Sequence, residues 1–124
     1  MTQDFRIRLL IVDDEQTIRR LCITVGESLG FFCLEAESGD AALALLEEQP
    51  VHMVLTDMVM PRMSGIECTV RLKELLPKTQ IIILTAMDDQ ELVFMALEAG
   101  ADEYVMKPFD RETLHIKLQL VGVA

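Results

Sequence analysis

Long apolar runs are missing from this chain. No stretch approaches the roughly 20 apolar residues that a membrane-crossing helix needs. The first residues, Met1-Thr2-Gln3-Asp4, lack the basic-then-apolar layout of a secretory leader. Cysteine is scarce and odd in number. Cys22, Cys33 and Cys68 are widely spaced, which argues against a disulfide framework or a zinc site and leads us to expect the reducing cytoplasm. Positive charge is also short: 11 Lys and Arg stand against 21 Asp and Glu, a formal net charge of −10. Phosphate contacts come from Lys and Arg, so neither direct nucleic-acid binding nor docking on an anionic membrane is expected. Gly/Ser/Pro-rich linkers, low-complexity segments and internal repeats are lacking as well. What remains is a sequence of 124 residues, 51% of them hydrophobic, enough to bury a core without metals or disulfides. We expect one domain over residues 1–124.

The stretch Met53-Val54-Leu55-Thr56-Asp57-Met58-Val59-Met60-Pro61 organises the rest. Met53 to Leu55 are unbroken apolar residues, as in a strand buried on both faces. Such a strand tolerates a carboxylate only where it ends, and Asp57 stands there. Pro61 and Ser64-Gly65 then turn the chain. Asp57 is thereby placed at the C-terminal lip of a central strand, where open parallel sheets bind ligands.

In chain order, Arg6 to Val12 reads as a strand ending in Asp13-Asp14-Glu15. A helix follows with Ile18, Leu21, Cys22, Val25 and Leu29 at helical spacing, and Gly30 as its C-cap. Phe31 to Ala36 is a second strand. Ser38-Gly39-Asp40 starts a helix through Ala41, Leu43, Ala44, Leu45 and Leu46, which stops before Pro50. Val51 to Thr56 is the third strand. Ser64 caps a helix carrying Ile66, Val70, Leu72 and Leu75, ended by Pro77. Gln80 to Leu84 is the fourth strand, and a helix runs from about Asp88 to Ala99. Glu103 to Met106 is a short fifth strand. The last segment, from Asp110, carries two patterns. Leu114, Ile116, Leu118 and Leu120 alternate as in a strand, while Leu114, Leu118 and Val121 fit one helix face. Helix is preferred, because it completes the alternation. Five strand–helix units predict an α/β fold, a parallel sheet with helices on both faces.

In that layout the C-terminal strand ends share one edge. The first strand delivers Asp13 and Asp14, the third Asp57, the fourth Thr85 and the fifth Lys107. Three crowded carboxylates repel, and one is driven to protonate unless a cation joins them. A hard divalent cation with oxygen ligands fits, and Mg²⁺ in particular uses a few carboxylates, waters and a phosphate. Lys107 adds a mobile positive charge and Thr85 a hydroxyl. These are the parts needed to move a phosphoryl group onto an aspartate, where catalysis is mostly positioning and charge neutralisation.

Taken together, Asp13-Asp14, Asp57 followed by Met60-Pro61 and Gly65, Thr85-Ala86, and Lys107-Pro108-Phe109 resemble the receiver domain of two-component response regulators. Each motif alone is weak; the set covers nearly the whole chain in order. The resemblance implies a flavodoxin-like, doubly wound five-stranded sheet with strand order 2-1-3-4-5. It implies that Asp57 is the phosphoacceptor for a sensor histidine kinase or phosphotransfer protein. Asp13 and Asp14 would hold Mg²⁺, one directly and one through water, with Asp57 and the Val59 carbonyl as further ligands. Lys107 would contact the phosphoryl group, Thr85 would move to bond it, and Tyr104 would follow as an aromatic switch. A cis peptide is implied between Lys107 and Pro108. The domain would be a phosphoacceptor acting only on itself, with no output domain in this chain. It is either a natural single-domain regulator or the receiver of a longer protein. A haloacid-dehalogenase-like phosphatase would need a second acid where Val59 stands. A flavin carrier would need a Ser/Thr/Gly-rich loop in place of Asp13-Asp14.

Three further expectations come from residues around this edge. The resemblance implies that the residues two positions after the phosphoacceptor and after the Thr border the path of the hydrolytic water. Here these are Val59 and Met87, both apolar and unable to orient it, so slow loss of the phosphoryl group is expected. Met58, Met60, Met63 and Met87 fill gaps around the site. On the fourth helix, stepping about 100° per residue gathers Val93, Ala96, Leu97 and Gly100 on the sheet side and turns Phe94 and Met95 away. On the last helix Ile116 and Leu120 point outward. Phe94, Met95, Ile116 and Leu120 then form a candidate partner patch, which the resemblance associates with homodimer formation or target binding, gated by Thr85 and Tyr104.

Overall fold

The computed structural model describes residues 5–86 and 90–122. Five strands and five helices alternate: β1 Arg8–Val12, α1 Gln16–Ser28, β2 Phe32–Ala36, α2 Gly39–Glu48, β3 Met53–Asp57, α3 Gly65–Leu75, β4 Gln80–Ala86, α4 Gln90–Glu98, β5 Glu103–Lys107 and α5 Arg111–Gly122. All strands are parallel, in the order β2-β1-β3-β4-β5. This is the parallel sheet that the alternation predicted, in the flavodoxin-like strand order that the resemblance implied. The start of the fourth helix at Asp88 lies outside the described residues.

The middle strands are apolar runs because both of their faces are covered. Leu9, Ile11, Leu55, Ile82 and Leu84 pack with Cys22 and Val25 of α1 and Leu114, Leu118 and Val121 of α5. Leu10, Val12, Val54, Ile81 and Ile83 pack with Ala42 and Leu46 of α2, Cys68 and Leu72 of α3, and Ala96 of α4. Full burial of each such Leu or Ile stabilises the fold by roughly 1.5–3 kcal/mol, so alternation on the inner strands would serve no purpose. The Cys22 thiol, buried in the first of these cores, is pushed up to about 12 by burial and then by the charge of Asp13. Such a thiol stays protonated and packs as a small apolar group.

Helix starts are marked as the sequence indicates. Ser38 Oγ accepts from Ala41 N–H at 3.0 Å, and Ser64 Oγ from Glu67 N–H at 3.1 Å. Asp110 Oδ1 accepts from Thr113 N–H at 2.8 Å, and the helix it opens settles the last segment as α5. After α1 the chain reverses at Gly30, whose φ is +84°, a conformation that favours glycine.

One expectation needs correction. Leu97 was assigned to the inner side of the fourth helix, but it is exposed, and the packed residues are Leu92 and Ala96. The helix is rotated so that Leu92, four residues before Ala96, takes the core position. His52 stands directly before β3. Its Nδ1 accepts from Arg8 N–H at 2.9 Å, closing the lower end of β1 against the residue that precedes β3.

Candidate functional site

The register assembles the site. Val12 pairs with Thr56, so Asp13 and Asp57 follow side by side from adjacent strands. Asp57 pairs with Leu84, and Ala86 with Lys107, which brings Thr85 and Lys107 to the same edge. One carboxylate oxygen from each of Asp13, Asp14 and Asp57 lies within 4.8 Å of the other two. Asp13 and Asp57 are buried, whereas Asp14 is exposed. Lys107 Nζ reaches back across the edge, 3.2 Å from Asp13 Oδ2 and 3.3 Å from Asp57 Oδ1. The Lys107–Pro108 peptide that follows is cis.

Burial, and then the neighbouring charge of Asp13, raise the Asp57 carboxyl above the usual carboxylate range. Lys107 and a backbone hydrogen bond from Val59 pull it down, but by less. Burial works against the charge on Lys107, yet the carboxylates of Asp57 and Asp13 outweigh it and leave the ammonium raised. The cluster therefore carries more negative charge than one lysine can balance. Its donors are all carboxylate oxygens, the set that suits a hard cation such as Mg²⁺ rather than a thiophilic one.

Two local features hold Asp57 at the mouth. Gly65 starts α3 directly beneath the strand end, with its N–H on Met58 O at 2.8 Å. A Cβ there would meet the Asp57 carbonyl oxygen and come within 2.8 Å of Met58 Cα, both backbone atoms. Met58, Met60 and Met63 are buried behind the loop and join the α2–α4 core. Gap filling by these three is what the structure shows; Met87 lies outside the described residues.

Not every expected residue converges. Alternation along β4 puts Thr85 on the side of Ile81 and Ile83. Its hydroxyl donates to Ala86 O at 3.2 Å. Tyr104 pairs with Ile83 and packs against that same core. Lys117 of α5 lies over its ring, 5.5 Å from the centroid, and is 3.2 Å from Glu103 Oε1. The Val59 side chain is exposed. Phe94, Met95, Ile116 and Leu120 are all exposed. Sequence reasoning passed over Arg19, whose Nη1 donates to the Asp13 carbonyl at 2.7 Å. No local signal marks it, because a cation in the first turns of a helix ordinarily reads as solvated.

The response regulator receiver domain family matches residues 9–119. This chain is a response-regulator receiver domain. The receiver is 40% identical over 115 residues to the phosphate regulon transcriptional regulatory protein PhoB of Pseudomonas aeruginosa, covering 91% of this chain and 50% of that protein. It is 37% identical over 119 residues to a probable chemotaxis protein CheY of Rhizobium etli, covering 94% of this chain and 92% of the other. Among solved structures, the BeF3-activated DrrB receiver domain superposes with a TM-score of 0.88 at 31% identity, over 97% of this receiver and all of that chain. The receiver spans half or less of the length of several curated relatives it matches. Among the described residues, no helix is long and apolar enough to cross a membrane.

Proposed function

We propose that this receiver accepts a phosphoryl group on Asp57 from a sensor histidine kinase or phosphotransfer protein, and that the modification switches a surface on α4, β5 and α5. The observation that carries the proposal is Lys107 Nζ set between Asp13 and Asp57, with Asp14 completing a three-carboxylate cluster. A bare structural ion pair needs one acid; three acids around one lysine leave room and charge for a divalent cation. Asp13, Asp14, Asp57 and the Val59 carbonyl are the groups we assign to hold Mg²⁺. Bound there, Mg²⁺ would neutralise charge on the phosphoryl oxygens.

The residues divide the remaining work. An Asp57 carboxylate oxygen attacks phosphorus as the donor's P–N bond breaks, leaving an acyl phosphate on Asp57 and a neutral imidazole once that takes up a proton. Lys107, held charged by its two carboxylates, follows the added negative charge. Thr85, buried one residue beyond the strand's apolar run, turns its hydroxyl to a phosphoryl oxygen. Tyr104, on the same side of the sheet, moves into the space that Thr85 leaves. The readout is the apolar patch of Phe94, Met95, Ile116 and Leu120, which binds a second copy or a target protein.

Incubation with acetyl phosphate and Mg²⁺ tests the core of the proposal. The domain should gain one phosphoryl group in an acid-labile, hydroxylamine-sensitive linkage, and Asp57→Asn should gain none. Unmodified parent protein, or an equally labelled Asp57→Asn variant, would sink it.

A further inference from the structure

We infer that Arg19 is a positioning residue for the cation site, an inference that rests on the reading of Asp13 and Asp14 as metal-holding groups. Every polar group of Asp13 has a partner. Its N–H donates to Ala36 O at 3.1 Å, which ties it to the end of β2. Its Oδ1 accepts from Glu15 N–H at 2.9 Å and its Oδ2 from Lys107 Nζ at 3.2 Å. Its carbonyl oxygen accepts from Arg19 Nη1 at 2.7 Å, a charge-assisted bond from α1. Asp13 itself is completely buried.

The carbonyl bond reaches further than Asp13. The Asp13 C=O and the Asp14 N–H belong to one rigid peptide plane. Fixing the carbonyl therefore fixes the direction in which Asp14 leaves. Asp14 is the exposed acid of the cluster, and no side-chain bond to it appears among the described residues. One guanidinium thus sets the orientation of two consecutive carboxylates without touching either, so it does not compete for the oxygens a cation would use.

Glu35 aims that guanidinium. It lies beside Ile11 in the register of β2 on β1, and its Oε1 accepts from Arg19 Nε at 2.8 Å. The Arg19 side chain is only 11% exposed. A planar fork with one edge on Glu35 and another on the Asp13 carbonyl needs arginine; a lysine offers one point of charge and can serve only one of the two partners. If Arg19 were merely an α1–β2 staple, the half-exposed pair with Glu35 would suffice, and pairs of that kind contribute little.

Calorimetric titration of Mg²⁺ into the metal-free domain tests this with R19Q, R19K and E35Q. R19Q should bind Mg²⁺ on the order of tenfold more weakly, the range seen when the partner of a metal ligand is lost. R19K should recover part of that loss, and E35Q should fall between parent and R19Q. At saturating Mg²⁺ the rate of labelling by acetyl phosphate should return to the parent value, which moves the Mg²⁺ dependence and leaves the plateau. In the metal-free state, amide exchange at Glu15 should quicken in R19Q while β3 and β4 stay protected. Parent-like Mg²⁺ affinity in both R19Q and E35Q would overturn the inference while leaving the proposed function standing. Affinity lost only together with global exchange protection would overturn it too. A parent domain that binds no Mg²⁺ would overturn both.

Discussion

The ammonium of Lys107 lies 3.3 Å from Oδ1 of Asp57, with both side chains largely withdrawn from water. The contact joins the end of β3 to the end of β5 across the intervening strand. It is attractive, yet the Asp57 carboxyl remains raised, because burial and Asp13 together outweigh it. The ionised site is therefore under net electrostatic strain until further positive charge arrives, and the strain has a sign that stability measurements can read.

Asp57→Asn should stabilise the metal-free protein at neutral pH. A carboxyl raised in the folded state keeps its proton where the unfolded chain has already lost it. Stability then falls as pH rises from the unfolded value, near 3.9 for Asp, through the raised folded value, and the penalty is complete above that. The Asn variant lacks this penalty. Thermal melts in EDTA should place its Tm above the parent's at pH 7, with the gap closing below about pH 4. A lower Tm for the variant at pH 7 would contradict the balance of charges described here.

Lys107→Met should do the opposite. It leaves Asp13 and Asp57 facing each other with no counter-charge, at a cost of about 2 kcal/mol once the partial exposure of the lysine is allowed for. Adding Mg²⁺ should recover much of that loss, since a cation offsets the same repulsion. Denaturant titrations with and without Mg²⁺ give both numbers. A variant as stable as the parent in EDTA would show that Lys107 is not what holds the two acids together.

Much of this was legible in the sequence, and the reasons are specific. Leu9-Leu10-Ile11-Val12 and Ile81-Ile82-Ile83-Leu84 announce strands covered on both faces, and an acid at the end of such a run has little reason to be there except function. The fourth strand continues through Thr85 and Ala86 because pairing with Met106 and Lys107 carries it past the apolar run. Apolar pattern cannot show that. Leu97 was misplaced because Val93, Ala96 and Gly100 form an equally regular helical stripe; which stripe is buried depends on Leu92, which packs into the α2–α4 core. Arg19 was invisible for a different reason: its value lies in reaching a carbonyl six residues back, and only coordinates show that distance.

Gly65→Ala should damage the site from below. The added methyl meets two backbone positions, the Asp57 carbonyl and Met58 Cα, which cannot turn aside as a flexible side chain would. Either α3 moves away or the end of β3 does. A loss of about 2 kcal/mol, in the range of overpacking into a fixed neighbour, is expected together with weaker Mg²⁺ binding. Unchanged melts and unchanged Mg²⁺ affinity would show that α3 is free to shift.

Aspartyl phosphate in this domain should be long-lived. Val59 is exposed next to Asp57 and offers nothing to orient an attacking water. Met87, two residues after Thr85, is chemically no better suited. Val59→Asn combined with Met87→Glu should speed loss of the phosphoryl group on the order of tenfold, by placing a water in line. The decay of radiolabelled protein after removal of the donor measures it. Equal decay in the parent and the double variant would refute the argument.

The switch should be readable at Phe94. This ring is 62% exposed on α4, and Leu120 on α5 is 61% exposed, with Met95 and Ile116 also open. Single exposed apolar residues are ordinary, but four large ones on the two helices that flank the edge strand β5 in the chain ask for a partner. Between the helices lies Tyr104, whose ring sits beneath Lys117, itself paired with Glu103. Inward movement of Tyr104 would take the ring away from Lys117, so the charge pattern beside the patch would change with the switch. Beryllofluoride activation should therefore strengthen self-association or target binding, and Phe94→Asp should remove the gain while melting like the parent. Sedimentation velocity with and without beryllofluoride measures the first branch, and activation-dependent pull-down of the cognate target the second. A monomer unchanged by activation that also binds its target equally in both states would eliminate the patch as the readout.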